Sequence, residues 1–243
     1  MKPTMALKPL VFALTALMAI AAQANGGSNG GGGNHGGGGS QPAAPTVLAV
    51  TANDAQNSSG NGTLNYKTEN NASTTDSVNH NTGVASGIVQ SGTGNQAKHD
   101  VAIGAADDAD QVFATINTTQ NSSGNLVGNI GNETNSSLTN SNNSNSGVSL
   151  ASVQAGTGNQ SSQGIAIASS DDGKSGGAAV NAQQNSSGNL TLNATTGHGW
   201  NKSSLVTNAS LTNSGNYNSG VSGTVSQAGN GNQAALGVSI TKF

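Results

Sequence analysis

The string Gln-Asn-Ser-Ser-Gly-Asn begins at Gln56, again at Gln120 and again at Gln184, in two steps of 64 residues. A fixed period of this size is the mark of a stacked architecture, in which one repeat cannot bury its own apolar face and needs a neighbour. A second string closes each unit, running from Gln90 to Gln96, Gln154 to Gln160 and Gln227 to Gln233. The first two closings are 64 apart and the third lies 73 further on, so the third unit holds nine extra residues between Asn193 and Asn208.

With that insertion placed, whole columns agree. Asn57/Asn121/Asn185, Asn61/Asn125/Asn189, Asn65/Asn129/Asn193, Asn71/Asn135/Asn208, Asn79/Asn143/Asn216, Asn81/Asn145/Asn218 and Asn95/Asn159/Asn232 align. Three Gln columns join them: Gln56/Gln120/Gln184, Gln90/Gln154/Gln227 and Gln96/Gln160/Gln233. Asn is 34 of 243 residues, so a threefold coincidence falls on the order of once in 350 columns. A carboxamide has two donors and an acceptor oxygen. Stacked on its like one strand-spacing away, about 4.7–4.8 Å, it passes a hydrogen bond along the column. Asn and Gly also serve as turn residues, and the Asn columns fit either use. The expected self-assembly ladder comprises the three Gln columns with those of Asn57, Asn61 and Asn95. Gly83/Gly147/Gly220 and Gly92/Gly156/Gly229 read as turns.

Between the turns lie short period-2 runs, such as Val84, Ser86, Ile88 and Gln90, then Val101 and Ile103. Runs of this kind bounded by Gly and Asn are strands. The expected fold is therefore all-β: three stacked β-solenoid or cross-β repeats forming amyloid. Eight large apolar side chains in residues 56–103 cannot offset the ordering of that segment by itself. No Pro-rich edge or Lys cluster caps the outer faces, so a further copy of the chain is the expected partner.

The boundaries follow. Residues 1–24 form a signal peptide, with Lys2 and Lys8, the apolar run Leu10 to Ile20 and the small-x-small site Ala22-Gln23-Ala24. Residues 25–52 are a Gly-rich flexible tether. Repeats occupy 53–103, 120–167 and 184–243, joined by linkers 104–119 and 168–183. Each linker carries an acidic pair, Asp107-Asp108 and Asp171-Asp172, without the ligand spacing or turn Gly of a calcium loop. Linker one is the more apolar, through Val112, Phe113 and Ile116, for no reason visible in the sequence.

Composition excludes several classes. Leu, Ile, Val and Phe make up about 17% of the chain, too little for a conventional single-core enzyme. Seven Lys, no Arg and ten acids give no nucleic-acid footprint. The absence of Cys excludes thiolate chemistry. His35, His80, His99 and His198 do not align between repeats, and no catalytic arrangement, metal site or cofactor site emerges.

The layout of leader, three Asn/Gln-rich repeats and two linkers resembles the Fap functional amyloids of Pseudomonas. The carrying residues are the leader Met1 to Leu10 and closings such as Gly92 to Gln96 followed by an Ala/Ile segment to Ile103. The chain departs from the family pattern in lacking a Cys-x-x-Cys near its C-terminus and in having Ala97, Ser161 and Ala234 after the closings, where Gln is common. The resemblance implies a secreted subunit of extracellular fibrils that support biofilm and attachment, as major subunit or as nucleator relative. It also implies a nucleating amyloid subunit and a dedicated outer-membrane export pore as partners. The closing strings are similar as well to the curlin repeat of curli fibres, whose units are much shorter. The alternative reading is a secreted β-solenoid adhesin that stays monomeric.

Overall fold

A computed structural model of the chain describes residues 45–107, 109–171, 173–197 and 204–242. The signal peptide, most of the tether, His35 and His198 lie outside the described residues. The described chain is all-β, with no helix. It forms three layers of five strands. Layer one holds β1 (Val47–Ser59), β2 (Gly62–Tyr66), β3 (Glu69–Thr75), β4 (Thr82–Thr93) and β5 (Gln96–Ala106). Layer two holds β6 (Gln111–Ser123), β7 (Leu126–Ile130), β8 (Glu133–Thr139), β9 (Ser146–Thr157) and β10 (Gln160–Ser170). Layer three holds β11 (Ser175–Ser187), β12 (Leu190–Ala194), β13 (Val206–Thr212), β14 (Ser219–Asn230) and β15 (Gln233–Lys242).

Like strands pair with like. Five three-stranded sheets, β1-β6-β11, β2-β7-β12, β3-β8-β13, β4-β9-β14 and β5-β10-β15, run parallel and in register. Gln56 lies on Gln120 and Gln120 on Gln184, and the same holds for Gln90/Gln154/Gln227 and Gln96/Gln160/Gln233. The nine extra residues fall between β12 and β13, and the register is kept on either side.

Within each layer, the first three strands wrap around an arch made by the last two, which face each other from separate sheets. One apolar cluster joins Val112, Ala114 and Ile116 of β6 to Ala102 of β5 and Ala166 and Ala168 of β10. A second joins Val148 and Leu150 of β9 to Ile165 of β10. A third joins Val89, Ala151 and Val153 to Leu138 of β8. The inner arch is therefore covered on both faces, which is why β9 and β10 lack strict apolar–polar alternation. The layers also rise in a half-step. A Cβ placed on Gly104 of β5 would meet Val50 of layer one at 3.6 Å and Val112 of layer two at 3.0 Å.

The strands extend beyond the segments read as repeats. β1 starts at Val47, inside the stretch read as tether, and β6 and β11 start at Gln111 and Ser175, inside the stretches read as linkers. What connects the layers is short, centred on Asp107 to Asp110 and Asp171 to Lys174. The apolar character of the first linker now has a cause. Val112 and Ile116 belong to the middle layer, where both are fully buried in the first apolar cluster.

Candidate functional site: carboxamide columns and open ends

The Gln columns are continuous hydrogen-bonded ladders. Gln120 donates its amide to the Gln56 side-chain oxygen at 2.8 Å, and Gln184 donates to Gln120 at 2.8 Å. Gln160 donates to Gln96 at 2.7 Å and Gln233 to Gln160 at 2.6 Å. The Gln90 column runs the other way, Gln90 to Gln154 at 2.5 Å and Gln154 to Gln227 at 2.7 Å. The second amide hydrogen crosses the layer. Gln56, Gln120 and Gln184 reach the carbonyls of Ala97, Ser161 and Ala234 at 3.2, 3.0 and 2.9 Å. Gln96 and Gln160 reach up by half a step, to the carbonyls of Asn121 and Asn185. Gln120, Gln154 and Gln160 are fully buried, so these bonds satisfy groups that water cannot reach.

The Asn columns divide by geometry. In the Asn57 column, Asn121 donates to Asn57 and Asn185 to Asn121, both at 2.8 Å. Asn65, Asn129 and Asn193 form a similar ladder at 2.9 and 3.0 Å. In the Asn95 column the side-chain oxygen instead accepts the backbone N–H of the next layer: Asn159 onto Asn95 and Asn232 onto Asn159, both at 3.0 Å. The amide meanwhile closes its own turn, as Asn159 does on the Ala155 carbonyl at 2.9 Å. The Asn79 and Asn81 columns accept the same kind of backbone bond. The Asn61 column does both, receiving backbone N–H and side-chain amide at the Asn125 and Asn189 oxygens. Turn residue and ladder residue are one role in these columns.

One ladder escaped the sequence reading. Asn117 donates to Asn53 at 2.8 Å and Asn181 to Asn117 at 2.9 Å. Its spacing of 64 was visible, but Asn117 and Asn181 fell in segments read as linkers.

The three layers differ in one interior patch. In layer one, Lys98 sits between Asp54 at 2.6 Å and Asp100 at 2.9 Å, and His99 lies between the hydroxyls of Ser86 at 2.7 Å and Ser152 at 2.8 Å. Burial pushes the His99 imidazole down to about 4, with the neighbouring Asp100 carboxylate working against that shift. The same columns carry Thr118, Ser162 and Gln163 in layer two and Ala182, Ala235 and Leu236 in layer three. Among the described residues, no three His, Cys, Asp or Glu side chains gather where they could hold a metal ion.

The two ends are complementary. At the layer-three face the Gln ladders finish on the side-chain oxygens of Gln184 and Gln233 and the amide of Gln227. At the layer-one face they finish on the amides of Gln56 and Gln96 and the oxygen of Gln90. A cavity of about 380 Å³ opens there among Gln56, Asn57, Gln90, Asn95 and Gln96. Exposure follows the same logic: Val84 of layer one is 52% exposed, whereas Val148, in register above it, is 3% exposed.

Parallel in-register strands, amide ladders and unfinished ends together define the class, a cross-β solenoid. Comparison with known proteins points the same way. The chain is 34% identical over 198 residues to the functional amyloid subunit FapC of Pseudomonas aeruginosa, covering 80% of this chain and 57% of that one. The chain thus spans somewhat more than half the length of that relative, and it is FapC-like. No protein-family model matches the chain. No solved structure matches it either.

Proposed function

We propose that the chain is a structural subunit that adds end to end with copies of itself to form an amyloid fibre. The observation that carries this reading is the pairing of the two faces. Set layer one of one copy on layer three of another, and the amide of Gln56 faces the oxygen of Gln184. The amide of Gln96 faces the oxygen of Gln233, and the oxygen of Gln90 faces the amide of Gln227. All three ladders continue, and the Gln233 amide gains the Asn57 carbonyl that the half-step offers it. A face-to-like-face joint would turn one copy over, so its strands would run antiparallel to the other's and no Gln column would meet its own continuation. The contact is therefore heterologous and does not close, which is the geometry of a filament. The expected ladder residues are, on this reading, the residues that join one copy to the next.

The similarity to a functional amyloid subunit supports the same assignment and extends it. We read the fibre as secreted, extracellular and part of a biofilm matrix, with a nucleating amyloid subunit and an outer-membrane export pore as partners. The chain's role is structural, not enzymatic. The test is seeded assembly of the purified chain. Sonicated fibres should abolish the lag, and the product should diffract at about 4.7–4.8 Å along the fibre axis. A chain that stays dissolved with its own fragments present would instead be the monomeric solenoid.

A further inference from the structure

End-to-end stacking covers the exposed apolar side chains of the outer layers, such as Val84 and Ile88, because their middle-layer counterparts are covered already. It cannot cover Leu126. That residue belongs to the middle layer, with a layer on either side, and is still 49% exposed. Among the described residues it is the one large apolar side chain of layer two that is exposed. It lies on the outer face of the short β2-β7-β12 sheet. Its sheet neighbours are exposed too: Leu64 at 71%, Tyr66 at 57%, Leu190 at 51% and Leu192 at 57%. Ile130 completes the stripe, in register with Tyr66. The face alternates cleanly, with Thr63, Val127 and Thr191 lining a cavity on the opposite side. No ionisable residue stands in these strands except Tyr66 at the rim, where Lys67 lies 5.5 Å from its ring.

We infer that this stripe is a second, lateral interface, and that its occupant is the same stripe on a neighbouring stack of copies. The inference rests on the end-to-end reading above, and the area argues for that occupant. Five residues of strand span about 17 Å, and three layers rise about 14 Å, so one chain offers roughly 240 Å² of this face. A stable interface needs about 800 Å² on each side. One chain falls well short, and a stack of three or four copies reaches it. A single chain therefore has too little of this surface to pair, whereas a growing stack acquires a continuous uncharged apolar stripe along its length. Flat apolar sheet faces without charge are what dry sheet-to-sheet packing uses. Pairing of stacks is thus a consequence of length, separate from addition at the ends.

The measurement is mass per unit length of fibres from the full chain, by scanning transmission electron microscopy. At 23.6 kDa per chain and about 14 Å of rise, one stack gives roughly 1.7 kDa/Å and a pair twice that. Wild-type fibres are expected at the paired value. Leu126→Thr with Leu190→Thr changes only exposed positions and puts there a β-branched residue that suits a strand. This variant is expected to fall twofold, to the single-stack value, while seeded elongation keeps its wild-type rate. Wild-type fibres at the single-stack value overturn the lateral interface and leave end-to-end addition standing. So do fibres that instead co-sediment with phosphatidylcholine vesicles in a Leu126-dependent way, because lipid would then be the occupant. Absence of fibres from the wild-type chain overturns both readings, and absence from the variant alone overturns the separation of lateral pairing from addition at the ends.

Discussion

Gly156 and Gly229 lie so close that a Cβ on Gly156 would stand 1.9 Å from the Gly229 carbonyl oxygen. Gly92 stands toward Gly156 in the same way, at 2.0 Å. All three have φ between +101° and +113°, a region that L side chains avoid. The contact repeats up the column until the chain ends. A Cβ on Gly229 would meet only the Asn232 amide, at 3.5 Å, and under end-to-end addition the space it points into would take the next copy. At the other end Gly83 has nothing within 4 Å, although Gly147 and Gly220 each point their missing Cβ at the glycine carbonyl one layer down, at 2.3 Å. Gly156→Ala is expected to prevent assembly outright. Gly229→Ala carries the same backbone strain without the internal clash, so it should dock on a fibre end and block the copy after it. Traces of that variant are expected to stop growth at one end of wild-type fibres, and Gly83→Ala at the other. Real-time fluorescence microscopy of single fibres, read end by end, checks this. Continued growth at both ends with either variant present would remove end-to-end addition.

Gln154, like Gln120 and Gln160, is bonded to the layers on both sides. It accepts from Gln90, donates to Gln227 and reaches the Gln96 carbonyl, with no exposure to water. Gln154→Leu preserves volume but orphans partners on both sides, at about 1–3 kcal/mol for each group left unsatisfied. The guanidinium midpoint for fibre dissolution should fall markedly. Asn57→Ala, on an outward column, should lower it much less. A Gln154→Leu fibre as resistant as wild type would show that the ladders contribute little to cohesion.

Much of this was legible in the sequence, and the rest was hidden for one reason. Identity marks the columns where the same group must meet itself, so the Gln ladders and the turn glycines stood out at spacings of 64 and 73. It does not mark columns where volume is shared between layers. Leu48, Val112 and Gly176 occupy one column, and Ala52, Ile116 and Val180 another. No two residues match in either column, so the first halves of β1, β6 and β11 passed for tether and linker. The same blindness hid the patch where Asp54, Lys98 and His99 of layer one give way to Ala182, Ala235 and Leu236 of layer three. Side-chain ladders, by contrast, need identity, and the missed Asn53 column was overlooked only because its surroundings looked unlike a repeat.

Val78 is held at φ +57° between β3 and β4, a conformation that is out of place for a β-branched residue. The equivalent positions carry Asn142 at +59° and Gly215 at +74°, both types that tolerate it. In this column layer one therefore carries a local strain that the other two layers lack. Val78→Asn is expected to stabilise the assembled chain by about 1 kcal/mol, visible as a higher guanidinium midpoint. A lower midpoint would mean that the packing of Val78 near Gly87 outweighs the backbone cost.

His99 makes the fold sensitive to acid. Its pKa is about 4 when folded against 6.5 when free. Above pH 6.5 the ring is neutral in both states and costs nothing. As pH falls from 6.5 to 4 the unfolded chain takes up a proton that the folded chain refuses, so stability drops, by on the order of 3 kcal/mol in all. Below 4 the loss is complete. Asp110 acts in the same direction at lower pH. Its hydrogen bond with Lys174, and then that from the Thr46 backbone, hold its carboxyl below the usual 3.8, so its contribution is present above that value and fades as it protonates. The two windows separate the two groups. His99→Gln places in layer one the residue that layer two carries at Gln163, and it should flatten the stability profile between pH 6.5 and 4 while leaving the decline below that range. Guanidinium midpoints of wild-type and variant fibres across pH 3 to 8 measure this. Parallel profiles through the upper window would show that the Ser86 and Ser152 hydroxyls accommodate the charged ring, and that layer one is no more sensitive to acid than the layers above it.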